Sequence, residues 1–210
     1  MSEIPSTATI DEITPVQYGV GARFTLSVYD RDYVAVILSA LEAADDAGLT
    51  IQTGDISTFV SGTEADILRY LRDVIAHAAE SGKHISASIL LSRGCPGELQ
   101  CELPPGVTAI GGDPVHLEHT GIRARAHWSL YPLLDGDSHG QHMTGIYQAI
   151  DMARDNGTYG GSDHFATVLD GDLADVLGTV AAGWLSVGRQ VQHVTTHVTM
   201  SINSPTPIDE

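Results

Sequence analysis

From residue 21 to residue 29 apolar and polar side chains alternate without a break. Ala22, Phe24, Leu26 and Val28 point one way, and Arg23, Thr25, Ser27 and Tyr29 the other, which is the period of a strand with one face on a core. The period then lengthens. Val34, Ile37, Leu38, Leu41 and Ala44 recur at helical spacing, with Asp30 or Asp32 placed to cap the start and Gly48 to stop the end. Short strands over 49–53 and 56–61 follow, joined by a turn at Gly54-Asp55. Thr63-x-x-Asp66 reads as a capping box for a helix whose apolar stripe is Ile67, Leu68, Leu71, Val74, Ile75 and Ala78, ended by Gly82. A strand over 84–92 sets His84, Ser86 and Ser88 against Ile85, Ala87, Ile89 and Leu91. The order is βαββαβ.

The same order returns after a stretch rich in turn residues. From Arg123, one side of a strand carries Ala124, Ala126, Trp128 and Leu130, and the other carries Arg125, His127, Ser129 and Tyr131. A loop over 133–140 leads to a helix marked by Met143, Ile146, Ile150 and Ala153 and stopped at Gly157. Strands near Tyr159 and over 165–169 come next. A helix from Asp172 carries Val176, Leu177, Val180 and Trp184, and a strand over 193–202 closes the unit. At a constant offset of 109, residues 53–96 contain eight identities, among them Thr58 with Thr167, His84 with His193 and Ser92 with Ser201. Apolar positions such as Ile89 and Val198 line up in the same register. The chain therefore reads as an α+β protein: a tandem repeat of two ferredoxin-like βαββαβ units with antiparallel sheets and helices on one face. The expected divisions are a flexible lead over 1–18, a first repeat over 19–97, a linker over 98–121 and a second repeat over 122–207. In the first strand two offsets fit, 102 matching Arg23 with Arg125 and 104 matching Phe24 with Trp128. Both are even, so the faces are the same under either.

Charge narrows the partners. With 10 Lys plus Arg against 27 Asp plus Glu, the formal net charge is −17, a field that repels a phosphate backbone and argues against nucleic acid. No apolar run is long enough to span a bilayer, and the polar N-terminus has no signal-peptide pattern, so the expected compartment is the cytoplasm. The two cysteines, Cys95 and Cys101, fit neither a CxxC redox motif nor a usual zinc knuckle and are expected as free thiols. The clusters at 135–142 and 116–119 lack HExxH or calcium-loop spacing, and no nucleophile elbow or P-loop is present. Neither a metal nor a catalytic set is expected.

The face turned away from the helices is the candidate site. It carries Arg23, Thr25, Ser27, Tyr29, His84, Ser86 and Ser88 in the first repeat, and Arg125, His127, Ser129, Tyr131, His193, Thr195 and His197 in the second. Short hydrogen-bonding side chains prevail there over Lys and Glu, which suits a face partly covered by a partner and partly lining a polar pocket.

Several short motifs are shared with a known family. Residues 53–58 (TGDIST), His84-Ile with 92–97 (SRGCPG), 129–132 (SLYP), 169–172 (LDGD) and 203–205 (NSP) resemble the YkoF family of thiamine- and hydroxymethylpyrimidine-binding proteins, over about residues 21–207. The resemblance implies tandem ferredoxin-like units, a homodimer, one ligand site per repeat and binding without catalysis or cofactor, in thiamine or precursor salvage. Asp55 stands where the family pattern implies His in the first hairpin; His164 keeps it in the second. A pyrimidine needs donors to its ring nitrogens, acceptors for its exocyclic amine and an apolar wall. Arg23, Ser27, Arg125 and Ser129 can donate, Asp55 and His164 can accept, and Thr58, Thr167, Ser88, Tyr29, Tyr131 and His197 complete the candidate set. Two other readings remain open: an enzyme using His127, His164, His193 and His197 as acid–base groups, and a ligand-free regulatory dimerisation module.

Overall fold

The computed structural model describes residues 13–95, 112–133 and 142–206. Its elements are α1 (Pro15–Tyr18), β1 (Gly21–Val28), α2 (Tyr33–Ala43), β2 (Thr50–Thr53), β3 (Thr58–Ser61), α3 (Glu64–Ala79) and β4 (Ile85–Arg93), followed by β5 (Arg123–Leu133), α4 (His142–Asp155), β6 (Tyr159–Asp163), β7 (Ala166–Asp172), α5 (Leu173–Gly188) and β8 (His193–Ile202). They form one antiparallel sheet in the order β2-β3-β1-β4-β8-β5-β7-β6. Each half has the ferredoxin-like order, and β4 joins β8 to make the sheet continuous.

Alternation decides the faces. In β4 the buried residues are Ile85, Ala87, Ile89, Leu91 and Arg93; in β8 they are Val194, Thr196, Val198, Met200 and Ile202. These side chains meet α3 and α5, which also pack on each other. The α5 residues read as its stripe, Val176, Leu177, Val180 and Trp184, are all fully buried. Capping follows the sequence in part. Thr63 accepts from the backbone N–H of Asp66, but Asp66 returns the contact to the Thr63 hydroxyl (2.6 Å) rather than to its N–H. Asp172 accepts from Ala174 N–H at the start of α5. Helix α2 ends at Ala43, earlier than Gly48, and in the turn that follows the guanidinium of Arg69 holds Asp45 and Ala47 by their carbonyls.

Pairing fixes the register that alternation leaves open. Phe24 faces Ile89 and Trp128 faces Val198. Ile89 and Val198 are 109 apart, so Phe24 corresponds to Trp128 and the first-strand offset is 104. Arg23 then corresponds to His127, and Gly21 to Arg125; the two arginines are not equivalent.

Three local features depart from the sequence reading. Residues 15–18 form a turn of helix capped by Thr14, and Tyr18 is buried with its hydroxyl donating to the Gln192 carbonyl (3.0 Å); Pro15 at the first helical position presets the backbone. Cys95 is disulfide-bonded, against the expectation of free thiols, and its partner lies outside the described residues. Arg93 is buried at the end of β4. It pairs with Glu64 (3.2 Å) and lies over the rings of Tyr18 and Trp184. Burial pulls its pKa below the ordinary arginine value, opposed by the Glu64 carboxylate. Gly188 makes room for it, since a Cβ there would lie 2.7 Å from Arg93 Nη1.

Candidate functional site

Beyond Trp128 the strand β5 runs past the end of β7 and is paired only with β8. A cavity of about 350 Å³ opens beside that stretch, between β5, the middle of α4 and the β6–β7 hairpin. Its apolar walls are Trp128, Leu130, Ile146, Ala149, Ile150 and Phe165, and its polar lining comes from Ser129, Ser162, Asp163 and Thr167. Trp128 is fixed from two sides. Its indole N–H donates to Thr196 Oγ1 (2.7 Å), which donates on to the Ser129 carbonyl (2.9 Å). Gly183 lets α5 approach the ring, because a Cβ there would lie 2.6 Å from it. The result is an apolar hollow edged by the buried Trp128, with hydroxyls and one carboxylate near its rim, which suits a small heterocycle.

The hairpin tip closes one side. Ser129 Oγ donates to the Phe165 carbonyl (3.1 Å). Phe165 has φ 65 and is 98% exposed, an uncommon backbone region for a bulky residue and one that marks functional loops. Asp163 lies between two imidazoles, with His164 Nδ1 at 3.1 Å and His127 Nε2 at 3.4 Å. The His164 backbone N–H, then its ring, hold the Asp163 carboxyl below the ordinary aspartate value. A carboxylate at the cavity mouth accepts from an amine and attracts a cation.

The candidate residues fall into three groups. Ser129, Tyr131 and Thr167 line this cavity, with His164 beside it on Asp163. Thr58 is the first-repeat counterpart of Thr167. Both are buried on the helix-covered face, Thr58 opposite Phe24 and Thr167 opposite Trp128. Asp55 is exposed at the other hairpin tip. The remainder lie on the uncovered face. Arg23 sits over the Phe59 ring and reaches Ser57 (3.3 Å), Tyr29 stacks on His84, and Arg125 meets Asp170 (3.2 Å). Ser27 pairs across β1–β4 with Ser86.

A ladder of His–Ser contacts crosses the seam between β4 and β8 on that face: His84 with Ser201 (3.0 Å), Ser88 with His197 (3.0 Å) and Ser92 with His193 (3.4 Å). The outer two pairs are exchanged by the 109-residue offset. These imidazoles have partners within the sheet, which accounts for their recurrence without a ligand.

Sequence reasoning missed Asp163, Phe165, Ile146 and Ile150. The helical pair carried only a core signal; the Asp163-His164 dipeptide in a tight hairpin was the readable hint. Of the metal-like clusters, the side chains of Asp135–His142 lie outside the described residues. His119 is engaged by Asp175 (2.8 Å), and no group of three or more metal ligands occurs among the described residues. No helix among them is long and apolar enough to cross a membrane.

The sequence of the chain matches a known family. The model of the YkoF-related family matches residues 19–98 and 123–207, once per repeat. The Bacillus subtilis (strain 168) protein named "Putative HMP/thiamine-binding protein YkoF" is 34% identical over 189 residues, covering 88% of this chain and 90% of that one. With both repeats matched and most of each chain aligned, the protein belongs to the YkoF-related family.

Proposed function

We propose that the protein binds thiamine or its hydroxymethylpyrimidine part without turning it over, with one site per repeat, as a cytoplasmic homodimer serving precursor salvage. The observation that carries this reading is the cavity beside β5. Its apolar lining can receive a pyrimidine ring, the Thr167 hydroxyl can donate to a ring nitrogen, and Asp163 can accept from the exocyclic amine. The same carboxylate would favour a thiazolium cation. The relative's name points to the same ligands. In the first repeat the corresponding positions are Phe24, Thr25, Thr58 and Gly54, with Asp55 supplying the only hairpin carboxylate. The two sites are thus expected to differ in affinity. Dimerisation is assigned to the uncovered face around the β4–β8 seam, where Ser86, Ser88, Thr195 and Thr199 offer a low surface for a second copy.

Isothermal titration with thiamine and with hydroxymethylpyrimidine tests this, on wild type, Asp163→Ala and Asp55→Ala. The expected result is saturable binding near two equivalents per chain, with each variant weakening one of them. No heat from either ligand in a folded protein would sink the reading.

A second reading is favoured by the His127–Asp163–His164 cluster, whose imidazoles and carboxylate could move protons. It predicts consumption of the ligand with a bell-shaped pH profile, and unchanged ligand after prolonged incubation would dismiss it.

A further inference from the structure

At the ends of β5 and β8 lies a second hollow, about 350 Å³, on the side of the sheet away from the ring cavity. Arg123 and Arg125 line it with Ser201, Ser204, Thr206 and the backbone of Gly121, and no carboxylate does among the described residues. That lining is unusual in a chain with 27 acidic and 10 basic residues. Asp170 stands behind it and fixes the arginines. Arg123 grips it with Nε and Nη2 (2.8 Å each), and Arg125 meets it through Nε (3.2 Å), which leaves the terminal nitrogens of Arg125 to the hollow. The turn that brings Ser204 and Thr206 round is held by Asn203. It has φ 53, and its amide donates to the carbonyls of Ala79 and Lys83.

The other repeat is an internal control. At the offsets set by strand pairing, Arg123, Arg125, Asp170, Ser201 and Ser204 correspond to Gly19, Gly21, Ser61, Ser92 and Cys95. Gly21 faces Ser61 as Arg125 faces Asp170, and Gly94 takes the same left-handed turn as Asn203 (φ 83). The corresponding hollow is lined by Gly19, Gly21 and Cys95 together with Phe59, Leu90 and a single arginine, Arg23, which comes from a different strand position. The positions equivalent to Arg123 and Arg125 are thus built with glycine, so the fold does not require arginines there.

We propose that the hollow bounded by Arg123, Arg125, Ser201, Ser204 and Thr206 is an anion site that takes the phosphate group of a phosphate monoester. The terminal nitrogens of Arg125 and the hydroxyls of Ser204 and Thr206 offer donors to the tetrahedral oxygens of such a group, with the Arg123 charge beside them. The site is separate from the ring cavity and does not rest on the ligand assigned there.

The test is calorimetric titration of the intact protein with inorganic phosphate and with phenyl phosphate, using wild type, Arg125→Gln, Ser204→Ala and, as control, Arg23→Gln. Saturable binding of both probes is expected, weakened roughly tenfold by Arg125→Gln, less by Ser204→Ala and not by Arg23→Gln. Phosphate heats that do not saturate, or that are equal in wild type and Arg125→Gln, overturn the proposal. Should Arg125→Gln lower the melting temperature, Ser204→Ala decides: an undiminished phosphate affinity in that variant counts against the site.

Discussion

Ile89 and Val198 face each other across the seam between β4 and β8, and they are separated by the repeat offset of 109. Every other facing pair in that ladder is exchanged with a second pair by the same offset; Ile85 with Ile202 becomes Arg93 with Val194. A pseudo-two-fold axis therefore passes through this one contact, and the two units meet edge to edge as equals. Such closure is what a duplicated gene product gains by pairing two like edges: strands that would otherwise stand open are covered.

Both side chains on the axis are fully buried, so the seam is a core as well as a ladder. Ile89→Ala is expected to cost about 3 kcal/mol in urea denaturation. Adding Val198→Ala should give a non-additive total, since the residues touch. Strict additivity in the double-mutant cycle would show that the two units are energetically separate.

The division of faces was legible in the sequence, and its reason is plain: Arg23 to Tyr29 and Arg125 to Tyr131 alternate cleanly, and a two-residue period survives any even shift. What alternation cannot supply is the phase of one strand against another. Alternation thus leaves the face of Thr58 and Thr167 unassigned, and it is pairing with Phe24 and Trp128 that turns them under the helices. The ring cavity was legible only through Ser129, Tyr131, Thr167 and His164. Phe165 and Asp163 owe their places to a hairpin turn whose positive φ no local pattern announces. Arg93 is a further case. In the sequence it ends a strand as an ordinary basic residue; in the fold it is buried because Gly188, Tyr18 and Glu64, all distant in the chain, converge on it.

That convergence makes Glu64 a stability residue. Arg93 is 1% exposed and Glu64 12%, so Glu64→Gln removes a close counter-charge from a buried cation. A loss of about 3–5 kcal/mol is expected for breaking one side of such a pair. The joint change Arg93→Met with Glu64→Leu should recover much of that loss. If Glu64→Gln unfolds at the wild-type urea midpoint, the pair does not hold α3 to β4.

Asp172 predicts an acid limb. Burial alone would raise its pKa, but the N–H groups of Ala174, Thr120 and Gly121, with the Thr120 hydroxyl, outweigh that and lower it. A carboxyl depressed in the folded state contributes stability that is whole above the unfolded value, about 3.9. That contribution is lost as pH falls through the lower folded value. Asp172→Asn should therefore melt below wild type at pH 6, and the gap should narrow once the pH drops beneath about 4. A gap that stays constant from pH 6 to pH 2 would mean that the charge of Asp172 does not anchor the 120–122 segment to α5.

Phe165 and Ile56 occupy equivalent hairpin tips, 98% and 83% exposed. Apolar side chains held out in solvent at the same place in both repeats contribute little to folding, so a bound molecule is the economical account of them. On the binding reading, Phe165→Ala should weaken thiamine at the second-repeat site roughly tenfold, the scale of one lost aromatic contact. Ile56→Ala should act less, and on the other site. Neither should move the melting temperature by more than an ordinary surface change, within about 0.5 kcal/mol of wild type. Titrations of the two single variants and the double variant separate the sites, because each should depress one binding step and leave the other. Unaltered affinities in all three would remove the hairpin tips from the site and leave their exposure to a protein partner instead.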